Sequence, residues 1–291
     1  MINLEDPGVL PLISEQLKKD IDAYCVHKYD DGLRSHLGAS QIGRPCLREL
    51  WIAFRWLDYK VHDGRQYRLF QRGHFEEPRF IEYMEGIGCE VEVFAPGTEH
   101  IEDKGKRQIR ISACQGHFGG SIDARITLPE RYQIPGKVLG EYKTQGTQKF
   151  AKLQTQGCQI NKEEHFAQQS IYGYKLGLTH STYLAVNKNN DDLHVELIKL
   201  DWILGKELEA KAERIIFATE PPPKISLNPK HYRCGWCDFK GLCWYSKAPL
   251  VNCRSCRWAA PVADAKWNCD NFGIIPKEAI NDACGKWESV L

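Results

Sequence analysis

Two carboxylates and one ammonium group have the spacing expected of a site for a hard metal ion. Asp123 lies in GSIDARITL, whose alternating apolar residues predict a strand, and Glu141 and Lys143 lie in KVLGEYKT, which predicts a second strand. Because successive side chains of a strand point to opposite faces, Glu141 and Lys143 should share a face, with Tyr142 opposite. A hairpin would bring Asp123 beside Glu141. Two adjacent carboxylates repel unless a cation lies between them, and their oxygens suit Mg²⁺ or Mn²⁺.

The same pattern also fits a solvated pair of strands that carries a cross-strand ion pair. As a functional pattern, an Asp, a spacer and a Glu-x-Lys on a second strand resembles the PD-(D/E)xK nuclease superfamily, and more narrowly its RecB-like exonuclease branch. The resemblance implies that Asp123 and Glu141 hold the metal and that Lys143 positions or activates the attacking water. The Pro of the family name is absent, since Ile122 precedes Asp123.

A helix is predicted before the hairpin, over residues 67–86, and it carries further polar residues. In RecB-like nucleases such a helix carries a Gly and, a few residues later, a Glu or His that joins the site. Gly73 and Glu77 fit this form, so the resemblance implies Glu77 as a catalytic residue and metal ligand, with His74 as the rival ligand. The alternative is an acidic, solvated helix face.

A second helix is predicted after the hairpin, in HFAQQSIYGYKLGLT. Gln168 and Tyr172 are four residues apart and therefore share a face of this helix. The pattern Gln-x-x-x-Tyr resembles a further motif of the RecB-like branch that follows the Glu-x-Lys strand at about this distance. The resemblance implies that Gln168 and Tyr172 also belong to the active site.

Cysteines are concentrated at the end of the chain, where seven of the twelve follow residue 230. Residues 234–243 read CGWCDFKGLC, and three thiolates on one turn-rich segment can converge on a metal centre. In RecB-like nucleases with an iron–sulfur cluster, of the CRISPR-associated and phage types, one Cys far upstream completes such a triplet. The resemblance implies a 4Fe-4S cluster, with zinc as the alternative. Its four ligands, here called the cavity cysteines, would be Cys46, Cys234, Cys237 and Cys243.

A second group of cysteines lies beyond the resemblance, in residues 251–291. The spacing Cys-x2-Cys-x12-Cys-x14-Cys predicts a small zinc ribbon or knuckle that folds with its metal. A different sharing of ligands with the cavity cysteines stays open. Trp residues between the ligands would pack over the metal site or stack on unpaired bases. The expected ligands, here called the tail cysteines, are Cys253, Cys256, Cys269 and Cys284.

Composition limits the classes of protein that the chain could be. Its 291 residues are 42% hydrophobic and 26% charged, which is typical of a soluble globular protein. The formal net charge of +1 requires any nucleic-acid binding to use a local patch. No stretch is long and apolar enough for a membrane span, and MINLEDPGVL lacks the pattern of a signal peptide, so we expect a cytoplasmic protein, in the host cytoplasm if phage-encoded. Reduced thiols there favour metal sites over disulfides.

The resemblance implies an α/β fold: a restriction-endonuclease-like mixed central sheet flanked by helices, to which the sequence adds a small Cys-rich metal-binding appendage. We expect an N-terminal helical segment over residues 1–39, a nuclease domain with its iron–sulfur clip over 40–245, and a zinc-binding tail over 246–291. No G-x-x-x-x-G-K-[ST] loop is present, so no ATP motor is expected.

The expected function is a metal-dependent DNA exonuclease of phage or bacterial recombination, repair or CRISPR-related DNA processing. Its partners would be single- or double-stranded DNA ends and a recombination or annealing protein. One alternative is a catalytically weak nuclease fold that binds DNA ends or a partner and uses its metals as structural clips. Another is a regulator in which all eight clustered thiolates bind zinc. The oligomeric state stays open.

Overall fold

The computed structural model describes residues 8–291, without the side chains of residues 104 and 106. Residues 1–7, on which part of the signal-peptide prediction rests, lie outside the described part. The helices are α1 (Val9–Tyr29), α2 (Leu47–Phe54), α3 (Gly64–Gly86), α4 (Lys104–Arg107), α5 (Thr147–Asn161), α6 (Glu163–Leu176), α7 (Trp202–Ile216), α8 (Tyr232–Gly235) and α9 (Lys240–Trp244). The strands are β1 (Leu37–Gly38), β2 (Glu90–Glu92), β3 (Arg110–Ala113), β4 (Phe118–Ser121), β5 (Ala124–Thr127), β6 (Lys137–Gln145), β7 (His180–Asn187), β8 (Leu193–Lys199), β9 (Ala259–Val262), β10 (Lys266–Cys269) and β11 (Gly273–Ile275).

A mixed five-stranded sheet in the order β2-β5-β6-β7-β8 forms the centre of the fold. Neighbouring strands are antiparallel except β6 and β7, which run parallel from Leu139 opposite Ser181 to Gln145 opposite Asn187. The parallel pair requires a long crossover, and α5 and α6 supply it. The predicted α/β class, with a mixed central sheet flanked by helices, is confirmed.

Burial along the strands follows their place in the sheet. Seven of the eight residues of the central strand β7 are buried, as expected where helices cover both faces. The edge strand β8 is mostly exposed or partly exposed, and only Ile198 is buried. On one face, α3 places Phe80 and Met84 in a cluster with Tyr142 and Leu184. On the other, α5 and α6 place Phe150 and Phe166 against Tyr183.

The hairpin that carries Asp123 and Glu141 has the predicted antiparallel pairing, with Ala124 opposite Gly140. The single strand predicted over GSIDARITL is wrong, however. β4 ends at Ser121 and pairs with β1 and β3 in a separate three-stranded sheet, whereas β5 begins at Ala124 in the central sheet. The chain changes sheets at Ile122, whose N–H is bonded to the Ile109 carbonyl, and at Asp123.

The C-terminal tail forms an antiparallel sheet in the order β11-β10-β9. Its Trp267 is 2% exposed and lies in the same hydrophobic cluster as Phe54 of α2 and Phe118 of β4. The tail therefore shares the main core of the protein. The proposed division at residues 39 and 245 stays a prediction.

Candidate functional site

Asp123 is fixed at the junction of the two sheets by the neighbouring strand. Its Oδ2 accepts a 2.7 Å hydrogen bond from the backbone N–H of Tyr142, which lies between Glu141 and Lys143 on β6. The side chain is 21% exposed, so one part of the carboxylate is held by the sheet and another reaches solvent. The predicted meeting of Asp123 with the Glu-x-Lys strand is present in the structure.

Glu141 and Lys143 leave β6 on the same face, as strand alternation predicts. The Lys143 ammonium contacts Glu141 Oε1 and lies 4.0 Å from Asp123 Oδ2. Tyr142 points to the other face, where its ring stacks on Phe80 with centroids 5.2 Å apart. Glu141 is fully buried, and apart from the Lys143 ammonium no group of the described residues donates a hydrogen bond to its oxygens. A buried carboxylate with a single cationic partner is incompletely compensated.

The pKa values of Glu141, Asp123 and Lys143 are shifted by burial and by their mutual charges. Burial raises the pKa of Glu141 to about 7, although the nearby Lys143 lowers it, and burial likewise raises the pKa of Asp123. Burial lowers the pKa of Lys143, but the two carboxylates outweigh burial and leave the value raised. The pair of acids therefore lies in a place where one ammonium group is too little positive charge to keep both fully ionised.

Helix α3 contributes Glu77 and His74 beside this cluster. His74 Nδ1 lies 3.3 Å from Glu77 Oε1, and this contact is the main reason that the pKa of His74 is raised. The negative charge of Glu77 also acts on both Asp123 and Glu141. The two rival residues thus lie together at the site, and their contact gives the His74 side chain an acidic partner of its own.

Helix α6 closes the cluster from the other side. Gln168 and Tyr172 are both buried, and the Tyr172 hydroxyl donates a 2.8 Å hydrogen bond to the carbonyl of Ser121, two residues before Asp123. Burial, followed by the negative charge of Glu141, raises the pKa of Tyr172, so the hydroxyl keeps its proton. Tyr172 thus holds the end of β4 in place. Gln168 lines the same cleft as Lys143.

A cleft of about 960 Å³ opens beside this cluster. Lys143 lines it, whereas Asp123, Glu141 and Tyr172 are not among its lining residues in the described part of the chain. Its walls include cationic and aromatic side chains outside the cluster, among them Arg34, Arg44, Lys60 and Phe70. Acidic residues of the walls are partly neutralised within the protein, since Glu49 pairs with Arg44 and Asp238 with Lys60. The site residues that line the cleft are Gly73, His74, Glu77, Tyr142, Lys143, Thr144, His165 and Gln168.

His165 is a cleft residue that the sequence patterns did not single out. Its Nδ1 lies 2.9 Å from the Tyr183 hydroxyl of β7, and burial lowers its pKa to about 3, so the imidazole is neutral. The spacing to Gln168 is one helical turn, which places both side chains on the cleft side of α6. The spacing of His165 and Gln168 could have indicated a site residue at His165. A lone His on a partly apolar helix is, however, usually a core residue.

The cavity cysteines meet around a second, smaller cavity. Cys46 caps α2, whereas the other three come from the segment around α8 and α9. All four residues line one cavity of about 30 Å³, which is far smaller than the cleft of about 960 Å³. Apolar groups such as Phe239 and Trp244 share the lining, as do the cations Arg48, Lys224, Arg233 and Lys240. A tetrathiolate cluster carries negative charge, so this donor set and its surroundings fit the implied iron–sulfur group.

The tail cysteines are brought together by turns and by the small sheet. The N–H of Cys256 bonds to the Cys253 carbonyl at 3.2 Å, and Cys269 pairs across the sheet with Ala259. Cys253 Sγ lies 3.1 Å from the carbonyl oxygen of Asp282, two residues before Cys284. Burial raises the pKa of the Cys253 thiol, and the other three tail thiols, which lie near it, raise it further.

Neither cysteine group nor the carboxylate cluster is a closed metal site as it stands. Within residues 8–291, no three His, Cys, Asp or Glu side chains are arranged tightly enough to hold a metal ion. In the same part of the chain, the helices are too short or too polar to cross a bilayer.

Comparisons with known proteins give no family. No protein-family model matches the chain, and no curated protein sequence matches it either. A solved structure titled SSO0001 is similar over 80% of this chain and 98% of its own, with 13% identity and a TM-score of 0.44. An alkaline exonuclease (LHK-Exo) from Laribacter hongkongensis is similar over 68% of this chain and 90% of its own, with 14% identity and a TM-score of 0.39. The same values hold for its complex with dAMP.

Proposed function

We propose that the protein is a metal-dependent deoxyribonuclease that hydrolyses phosphodiester bonds at DNA ends. The observation that carries this proposal is the buried, under-compensated Glu141 beside Asp123 and Lys143, of which Lys143 lines a large cleft. A protein that needed these residues only for stability would do better with apolar side chains, because an incompletely paired buried charge is costly. Such groups persist mainly where chemistry requires them.

The proposed metal ligands are Asp123 and Glu141, with Glu77 or His74 of α3 as a further ligand. Carboxylate oxygens with access to water match the preference of Mg²⁺ and Mn²⁺. The buried carboxylate of Glu141 fits this role, because a divalent cation would supply the positive charge that Lys143 alone does not. A bound metal ion of this kind lowers the pKa of its water and stabilises negative charge on a phosphate.

The other residues have roles that follow from their positions. The Lys143 ammonium reaches the cleft, where it can orient water and balance charge that develops on the phosphate. Tyr172 positions Asp123 through its hydrogen bond to Ser121. Gln168 faces the cleft as a neutral group that can donate to a phosphate oxygen or a base. Arg34 supplies positive charge to the wall of the cleft where a DNA strand would lie, whereas Arg44 and Lys60 are paired with Glu49 and Asp238.

We further propose a 4Fe-4S cluster in the cavity cysteines, as a clip between α2 and the α8–α9 segment. The chain between Cys46 and Cys234 contains the whole central sheet, so such a clip closes a very long loop. Arg48 of α2 already holds the segment that leads to α8, since its Nε donates a 2.6 Å hydrogen bond to the Pro222 carbonyl. The cluster would add a second attachment of α2 to the chain that follows α7. A protein partner that acts in recombination or strand annealing is also proposed, and only the resemblance to RecB-like nucleases supports it.

The test compares linear with covalently closed circular DNA in the presence of Mn²⁺. We expect loss of linear DNA alone, and at least an approximately 100-fold loss of rate in Lys143→Ala. Lys137→Ala is the matched control, because Lys137 lies on the same strand but pairs with Glu92 away from the cleft. Nicked circles would contradict action at ends while keeping the site. An undiminished rate in a folded Lys143→Ala protein would overturn the site.

A further inference from the structure

Two arginines are buried where the tail meets the rest of the protein. Arg55 at the end of α2 is 2% exposed, and Arg254 of the tail is 1% exposed. The Arg55 guanidinium donates to the carbonyls of Ala259, at 2.9 Å, and Cys256, at 2.8 Å. Arg254 donates to the carbonyls of Phe54 and Ser35, the latter at 3.0 Å. Both groups thus use backbone oxygens to join the tail to the core.

Neither guanidinium has an anionic partner. Among the described residues, no carboxylate forms an ion pair with Arg55 or Arg254, and the Nε of each lacks a hydrogen-bond acceptor. Both instead flank the ring of Trp267, whose centroid lies 5.1 Å from the Arg55 guanidinium carbon and 4.7 Å from that of Arg254. Two like charges therefore share one buried aromatic ring.

This arrangement is costly unless negative charge is close by. Carbonyl dipoles and an aromatic face offset part of the cost of burying a guanidinium, but they bring no net charge. Two positive charges remain to be balanced in the interior.

The tail cysteines are side chains that could supply that balance. Arg55 bonds to the carbonyl of Cys256, and Arg254 lies between Cys253 and Cys256 in the sequence. A divalent ion with four thiolates carries two net negative charges, which equals the charge of two guanidinium groups in magnitude. Four neutral thiols carry none.

We propose that the four tail cysteines bind one zinc ion, and that Arg55 and Arg254 neutralise the charge of this tetrathiolate centre. Zinc takes up four thiolates and displaces four thiol protons, so no oxidant or reductant is needed. The side chains must turn toward a common centre, because they do not form a closed site in their present positions. The backbone that carries three of these cysteines is already fixed, by the turn at Cys253–Cys256 and by the pairing of Cys269 with Ala259.

The centre would also support the strand that leads to Asp123. His117, immediately before β4, has its Nε2 2.8 Å from the carbonyl of Val262 on β9. The N–H of Ala265 donates to the carbonyl of Gln115 at 2.8 Å. Because β4 runs directly into Asp123, zinc in the tail would stabilise the frame of the proposed active site. The zinc proposal itself does not depend on the nuclease proposal.

The test uses the full-length protein, purified with thiol reductant, and measures zinc content and the alkylation of each cysteine by mass spectrometry. We expect Cys269→Ser to contain one zinc ion fewer per chain than the parent. The tail thiols of the parent should be protected from alkylation until a chelator is added. Equal alkylation of the tail thiols with and without zinc would overturn the metal site.

The charge balance is tested by Arg254→Met, with Arg257→Met as the control. Arg257 adjoins Cys256 but is solvent-exposed and pairs with Glu288 at 3.6 Å. Loss of a group that supports a metal site typically weakens metal binding about 10- to 100-fold, so zinc should leave Arg254→Met that much more readily, whereas the control should change little. Without zinc, Arg254→Met should melt at a higher temperature than the parent, because it removes an unbalanced buried charge. Parent-like zinc release, or a lower melting temperature without zinc, would overturn the charge balance.

Discussion

The hydroxyl of Tyr172 on α6 donates a 2.8 Å hydrogen bond to the carbonyl of Ser121, the last residue of β4. This bond joins the helix that follows the Glu-x-Lys strand to the strand that precedes Asp123. Space around it is limited, since a Cβ atom added at Gly120 would lie 2.5 Å from the Tyr172 oxygen. The position of Asp123 therefore depends on a residue that acts on it through the backbone of Ser121.

Tyr172→Phe should lower both stability and activity. The ring keeps its packing, but the carbonyl of Ser121 loses its donor, which costs about 1 kcal/mol. A small drop in melting temperature should accompany a larger relative loss of cleavage rate, because Asp123 is no longer held in register with Glu141. Melting curves and single-turnover rates with Mn²⁺ measure the two effects. A lower melting temperature with an unchanged rate would assign Tyr172 a structural role only.

Gly73→Ala should raise stability and lower activity. No atom lies within 4 Å of a Cβ built at Gly73, and replacement of a helix-interior Gly by Ala is worth about 0.5–1 kcal/mol. Gly73 lines the cleft, however, so the added methyl group would obstruct a DNA strand that passes close to α3. Melting temperature and KM for linear DNA should both increase. If KM stays at the parental value, the strand takes another path through the cleft.

The metal-free protein should lose stability as pH rises through the range of Glu141. Its pKa is raised from 4.5 to about 7 by burial, so the folded state binds the proton more tightly than the unfolded state does. Stability from this group is therefore full below about pH 4.5 and declines until about pH 7, by an amount on the order of 3 kcal/mol. Because other groups titrate in this range, the test is the difference between the parent and Glu141→Gln.

Added Mn²⁺ should reverse that loss. A cation bound by the ionised Glu141 stabilises the folded state only, so the melting temperature of the parent at pH 8 should rise with metal concentration. Glu141→Gln should respond much less. An equal response of the two proteins would show that the stabilising cation binds elsewhere.

Cys234→Ser should remove iron and lower stability. If the cavity cysteines hold a cluster, the loss of one ligand removes folding free energy directly, so the melting temperature should fall by several degrees. Cys114→Ser is the control, because Cys114 lies outside both cysteine groups and does not line the cavity. Iron analysis and visible absorbance after anaerobic purification give the readout. A Cys234→Ser protein with parental iron content would exclude this ligand set.

The sequence determined which residues meet on a single element. Strand alternation places Glu141 and Lys143 on one face, and helical periodicity places Gln168 and Tyr172 one turn apart, because these relations depend only on local backbone geometry. The antiparallel pairing of the hairpin was also predictable from its alternating pattern. The role of His165 was not, because its contact with Tyr183 joins α6 to a strand that comes later in the chain.

Only the tertiary structure decided the relations between distant segments. The chain changes sheets at Ile122 and Asp123, where the Ile122 N–H bonds to the Ile109 carbonyl. The local pattern of apolar residues does not predict this partner. The packing of Trp267 between Arg55 and Arg254 joins two segments about two hundred residues apart, and no local pattern predicts that the tail enters the core. Burial and charge compensation depend on all the atoms that surround a group, and the chain order does not specify these neighbours.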